Sequence, residues 1–136
     1  MNIDKFKQQH VDILQGIASL RRLAHAGVAR NAAEIARGIV SMSATIKLHL
    51  AVEDRALYPA LARSDDTDLA QAGRAFQQEM DAIARSYEAF ARRWNNAGSL
   101  ELDEAGFRAD ANTVLRRVHE RMQRENRDLY PRIEAL

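Results

Sequence analysis

The sequence predicts an all-α protein, an up-down-up-down antiparallel four-helix bundle. Apolar residues recur at three- and four-residue spacing through most of the chain, and no stretch alternates as a half-buried strand would. Stop signals divide the periodic segments into four runs of similar length. With two prolines and six glycines in 136 residues, little interrupts these runs, and the abundant residues (Ala, Leu, Arg, Glu, Gln) are helix formers.

The first run begins near Asp4 and repeats through Phe6, His10, Ile13, Leu14, Ile17, Leu20 and Ala24, with Gly27 placed to end it. Asn31 and Glu34 have the spacing of a capping box. They open a second helix along Ile35, Ile39, Met42, Ile46 and His49 that closes around Pro59 or a few residues later. SDDTD, residues 64–68, is rich in N-cap candidates for a third helix along Leu69, Phe76, Met80, Ile83, Tyr87, Phe90 and Trp94. Asn95 to Ser99 break that helix. Asp103 can cap a fourth through Leu115, Val118, Met122 and Leu129, with Pro131 near its end and a last turn, RIEAL, packing back. Short connections make successive helices antiparallel neighbours, and the length suits one domain over residues 1–136.

Composition narrows the function. Twenty basic against nineteen acidic residues leave a formal charge of +1, with no global pull towards nucleic acid or anionic membrane. Cysteine is absent, so disulfides, thiolate nucleophiles and cysteine-held metals are excluded. Any metal must be held by His, Asp and Glu. No apolar run approaches a membrane span and the N-terminus has no signal-peptide core, so the expectation is a cytoplasmic protein without membrane or nucleic-acid partners. No phosphate-binding glycine loop or activated Ser or Thr occurs. Arg117, Arg121 and Arg124 read as a solvated face of the fourth helix.

HLAVEDRALYP, residues 49–59, breaks the ordinary core pattern. His49 and Glu53 are one helical turn apart and so share a face, and that face carries Met42, Ile46 and Leu57. Counting residues from each connection at about 1.5 Å of rise per residue puts His10, His49 and Glu53, Glu79, and the pair His119 and Glu125 near one level of the bundle. His10 lies on the apolar stripe of its helix and Glu79 on a flank of the third, while His119 and Glu125 flank Met122 on opposite sides. A single histidine on an apolar face is usually a hydrogen-bonded core residue. Convergence of several ionisable groups is costly unless something pairs them, and a divalent cation does so directly. His25, about 22 Å along the first helix from His10, is read as a partner of the helix dipole. Tyr58 and Tyr130, each just before a proline, could hydrogen-bond near the site, though aromatic packing at helix ends is the simpler reading.

The chain resembles the hemerythrin-like, or HHE cation-binding, family over nearly its whole length, through QQHVDIL, HLAVEDRALYP and HERMQRENRDLYP. That resemblance implies a four-helix bundle with a non-haem di-iron site held by histidines and bridging carboxylates, which binds dioxygen or senses oxygen, redox state, iron or nitric oxide. By position, His10, His49 and His119 match family histidines and Glu53 matches a bridging glutamate. The third helix, where the family supplies histidine, offers none in FQQEMDAI; Phe76 and Met80 fill the central positions and leave Glu79. Aligning the two LYP triplets puts Glu125 level with Glu53 and Arg121 where a histidine would correspond. The implied metal ligands are thus His10, His49, Glu53 and His119, with Glu79 and Glu125 as further carboxylates. The implied cofactor is non-haem iron, one or two ions, with zinc or manganese suiting the same donors.

Three functions follow. The first is a binding or sensing protein for dioxygen, another small diatomic ligand or iron, without turnover. The second is a di-iron oxidoreductase. The third is a metal-free bundle serving as an interaction module, such as a homodimer.

Overall fold

Amphipathic periodicity becomes helix almost throughout the computed structural model, which describes residues 1–136 and contains no strand. Helix α1 spans Asp4–Ala26 and α2 spans Ala32–Val52. Helix α2 runs through a π-turn, Glu53–Leu57, into α3, Tyr58–Ala62. The long α4, Thr67–Trp94, is followed by a short α5, Ala97–Leu102. Helix α6, Glu104–Arg124, passes through a second π-turn, Glu125–Leu129, into α7, Tyr130–Glu134.

The stop signals act as their chemistry dictates, with two exceptions. Gly27 ends α1 at φ +136°, a left-handed conformation that a Cβ would strain. Asp66 and Asp103 accept from the backbone N–H of Leu69 and Gly106, capping α4 and α6. Asn31 does not form the expected capping box. Its amide donates instead to the carbonyls of Leu23 and Gly27, tying the α1–α2 turn to the end of α1. The break at Asn95–Ser99 is confined to Asn95 and Asn96, because Asn96 caps the short α5 through the Ser99 N–H.

The four long helices form a closed ring of neighbours, α1–α2–α4–α6 and back to α1. Partner numbers rise along one helix as they fall along the next. His10 meets Asn126 while Ala24 meets Arg108, and Ile39 meets Tyr87 while Asp54 meets Gln77. Between α4 and α6, Ser86 meets Arg117 and Trp94 meets Asp110.

The enclosed core is in two parts. A larger apolar cluster runs from Ile13 through Ile39, Met80 and Trp94 to Met122. A smaller one at the opposite end gathers Ile3, Phe6, Leu57, Leu61, Leu69, Leu129 and Ile133. Burying side chains of this kind contributes about 1.5–3 kcal/mol each relative to exposure.

One composition-based expectation needs correcting. The continuous helical stretch Ala32–Ala62 is, by length and composition, apolar enough to cross a membrane. In the bundle it supplies core residues Ile35, Ile39, Met42, Ile46 and Leu57, and it buries His49 and Glu53 among them. Packing into a core requires the same apolar content.

Candidate metal centre

A polar layer separates the two apolar clusters. His10 lies between Phe6 and Ile13 on α1, His49 and Glu53 between Ile46 and Leu57, and Glu125 between Met122 and Leu129. Each of these four polar side chains is at most 1% exposed. One potential ligand atom from each, taken together, lie within 4.8 Å of one another.

The two imidazoles are oriented by their outer nitrogens. His10 Nδ1 donates to Asn126 Oδ1 and His49 Nδ1 donates to Gln9 Oε1, both at 2.7 Å. With the proton on Nδ1, each ring presents the lone pair of Nε2, the tautomer a metal ligand needs. These inner atoms point into the same space, 3.1 Å apart. Glu125 Oε1 stands 3.0 Å from His10 Nε2 and 3.8 Å from His49 Nε2, and Glu53 Oε1 is 3.2 Å from His49 Nε2. Glu53 Oε1 is buried without a hydrogen-bond partner.

Four acceptor atoms facing one another in an apolar surround are unfavourable without a shared cation. Donors held about 2.0–2.2 Å from a tetrahedral ion stand about 3.4 Å apart, close to the spacings here. Two nitrogens and two carboxylate oxygens also match the donor chemistry of iron, zinc or manganese. The residues present therefore fit a cation.

Without metal, a proton takes part of that role. Burial depresses the His49 pKa, but attraction of its protonated ring to the Glu125 and Glu53 carboxylates outweighs it and raises the group to about 9. Burial and the neighbouring Glu125 charge push Glu53 upward, His49 opposing them. Burial would also raise Glu125, yet the hydrogen bond with His10, the nearby His49 ring and the charge of Arg121 hold it well below the usual carboxylate range.

The π-turns bring in two further groups. In each, the N–H of the tyrosine bonds to the carbonyl five residues earlier, Tyr58 to Glu53 and Tyr130 to Glu125. In a regular α-helix residues five apart point about 140° away from each other; the wide turn carries the tyrosine back under its glutamate. The widening falls just before Pro59 and Pro131, whose rings would crowd the carbonyl four residues back in an unbroken helix.

Both hydroxyls reach the polar layer. Tyr130 donates to Glu53 Oε2 at 3.1 Å and lies 2.9 Å from His10 Nε2, and Tyr58 is 3.4 Å from Glu125 Oε2. Burial, then the nearby carboxylates, push both phenols far above their ordinary pKa, so they are neutral donors. Packing alone does not describe these tyrosines.

Arg121 also departs from its sequence reading. It is buried at 1% exposure rather than solvated, stacked on the Phe76 ring at 4.5 Å and paired with Glu125 at 3.3 Å. Its place at the His49 position of the second LYP segment was the available signal, because a residue four before a buried glutamate shares its face.

Of the sequence candidates, His10, His49, Glu53 and Glu125 come together. His119 is not among them. It lies about 120° around α6 from Glu125, half-buried and 3.5 Å from Gln123. Glu79 lies outside the cluster as well, its side chain 42% exposed, paired with Arg124 at the surface and 3.7 Å from Arg121 Nη1. Gln9 and Asn126, which orient the imidazoles, carry no motif that periodicity could single out.

Helical bundle and buried histidine–carboxylate cluster together define a cation-binding class of α protein. The family model of the hemerythrin HHE cation binding domain matches residues 1–133. The chain belongs to that family. Among curated proteins and among solved structures, nothing matches the chain.

Proposed function

We propose that this chain is an up-down-up-down four-helix hemerythrin-like protein that holds non-haem iron at His10, His49, Glu53 and Glu125. Its task is to bind or sense dioxygen, another small diatomic ligand, or iron itself, without turnover. The observation that carries this reading is the pair of inner Nε2 atoms, 3.1 Å apart, with both outer nitrogens committed to amide oxygens. Such preorientation stabilises a bound cation and has no equal use in a purely apolar core.

Bound ferrous iron would supply a Lewis-acidic, redox-active centre at which a diatomic ligand can be held. The chain's own residues do the rest. His10 and His49 donate nitrogen, and Glu53 and Glu125 supply negative charge. Tyr130 presents a neutral hydroxyl beside His10 and Glu53 as a hydrogen-bond donor. Phe6, Leu57 and Leu129 close one end of the layer and exclude water.

One observation favours the metal-free interaction module instead. With His49 protonated, its charge and that of Arg121 balance the two glutamates. Metal analysis of untagged protein from iron-rich culture separates the two readings, followed by anaerobic ferrous titration and optical spectra on adding dioxygen or nitric oxide. Retained iron and a ligand-dependent absorption band, both lost in His10→Ala, are expected. Protein that neither retains nor takes up metal would overturn the metal-binding reading.

A further inference from the structure

Two stretches of the chain correspond. Glu53, Leu57, Tyr58 and Pro59 recur, 72 positions on, as Glu125, Leu129, Tyr130 and Pro131, and Arg121 stands where the first stretch has His49. Both copies open a π-turn at the glutamate. Helix α4 repeats α1 at a separation of 70: Phe6 and Phe76, His10 and Met80, Ile13 and Ile83, Ile17 and Tyr87. The hydrogen bonds follow the same symmetry. Tyr130 reaches across to Glu53, and Tyr58 reaches across to Glu125.

Such a correspondence would place two related cation positions on either side of the glutamate pair, of which one has a full ligand set. His10 and His49 serve the first. At the second, their counterparts are Met80 and Arg121. A thioether is a weak ligand for a hard cation, and a guanidinium has no lone pair to give.

Arg121 does supply a charge there. Its Nη2 lies 3.3 Å from Glu125 Oε2 and 3.2 Å from the Tyr58 hydroxyl, and it also donates to the Phe76 carbonyl. Glu125 is divided between the two positions, with Oε1 towards the imidazoles and Oε2 towards the guanidinium. Arginine stays charged in this setting, so the position is permanently filled.

We infer that Arg121 is a resident cation at the second position of the site, bridged through Glu125 to the histidine half, and that it restricts the centre to one metal ion per chain. A second divalent ion would have to displace a buried guanidinium and share Glu125 with a like charge. This inference rests on the metal-binding reading above.

Metal content and calorimetric titration with ferrous or zinc ions test it on untagged wild type, Met80→His and the double variant Met80→His with Arg121→His. Wild type and Met80→His should each saturate at one ion per chain. The double variant, which restores both histidine counterparts, should reach two. Two ions in wild type or in Met80→His would overturn the inference while leaving the metal-binding reading intact. A double variant with native helical circular dichroism that stops at one ion would do the same. No ion in wild type would overturn both. Wild type and Met80→His decide the matter even if the double variant does not fold.

Discussion

Replacing Glu125 with glutamine keeps the size and one carbonyl oxygen of the side chain and removes its charge. In the metal-free protein that charge faces Arg121 at 3.3 Å and His10 at 3.0 Å, with all three side chains at most 1% exposed. Arg121 already has two buried nitrogens, Nε and Nη1, without hydrogen bonds; Nη1 lies 3.7 Å from the partly exposed Glu79 carboxylate, so Glu125 is its buried counter-ion. Removing one partner of a buried ion pair costs about 3–5 kcal/mol. Relief of the Glu53–Glu125 repulsion and the surviving amide acceptor place Glu125→Gln near the lower end, about 3 kcal/mol. At about 2.1 cal/mol/K per residue, 136 residues unfold with an entropy near 0.29 kcal/mol/K, so the melting temperature should fall by about 10 °C. Glu134→Gln is the control. It pairs with Lys7 at the surface, the two side chains 46% and 44% exposed, and such pairs contribute about 0–1 kcal/mol, or at most about 3.5 °C. Both variants are to be melted by circular dichroism at pH 7.5 with chelator. If Glu125→Gln melts within about 3 °C of wild type, Glu125 is not the counter-ion that holds Arg121 in the core.

The same site makes three further predictions. The His49 pKa is raised in the folded state to about 9, from about 6.5 unfolded, so its contribution to metal-free stability is full below pH 6.5 and lost as pH rises through 9. Urea midpoints in chelator should fall between pH 6.5 and 9.5, whereas metal affinity should rise over that interval because the ion must displace the His49 proton; a flat urea midpoint would discount the shift. Gln9→Ala frees His49 Nδ1 and should weaken metal binding about 10–100-fold without removing a ligand, as read by competition with a chelating dye. His119→Ala should titrate with metal like wild type, since His119 lies outside the cluster, while His49→Ala should lose binding; weakened binding in His119→Ala would restore it as a ligand.

Much of the site was legible from helical geometry. His49 and Glu53 share a face because they are four apart, and His10 sits on an apolar stripe at the same level, so three of the four clustered residues follow from period and height. Glu125 followed from the aligned LYP triplets. The choice between Glu125 and His119 did not, because both flank Met122 and the rotation of α6 about its axis selects which flank faces inward. Pairing of Arg121 with Glu125 and stacking on Phe76 accompany that rotation, and both are contacts made across helices. Hydrogen bonding by the two tyrosines was one of two readings open to the sequence; an ideal helix turns a residue five positions on away from its glutamate, and only the π-turn, seen in the structure, cancels that rotation.

Local information in the chain thus determined where helices run, most of their ends, which stripe of each is apolar, and that histidines and acids interrupt those stripes at one depth. Those properties depend on period, capping chemistry and rise per residue, all of which act over a few neighbours. The tertiary structure alone decided which ionisable groups meet. It turned an arginine inward in place of a third histidine, divided Glu125 between guanidinium and imidazoles, and set Gln9 and Asn126 behind the rings. Burial, hydrogen-bond partners and charge balance are properties of the packed helices together, so they have no value until all four faces are in place.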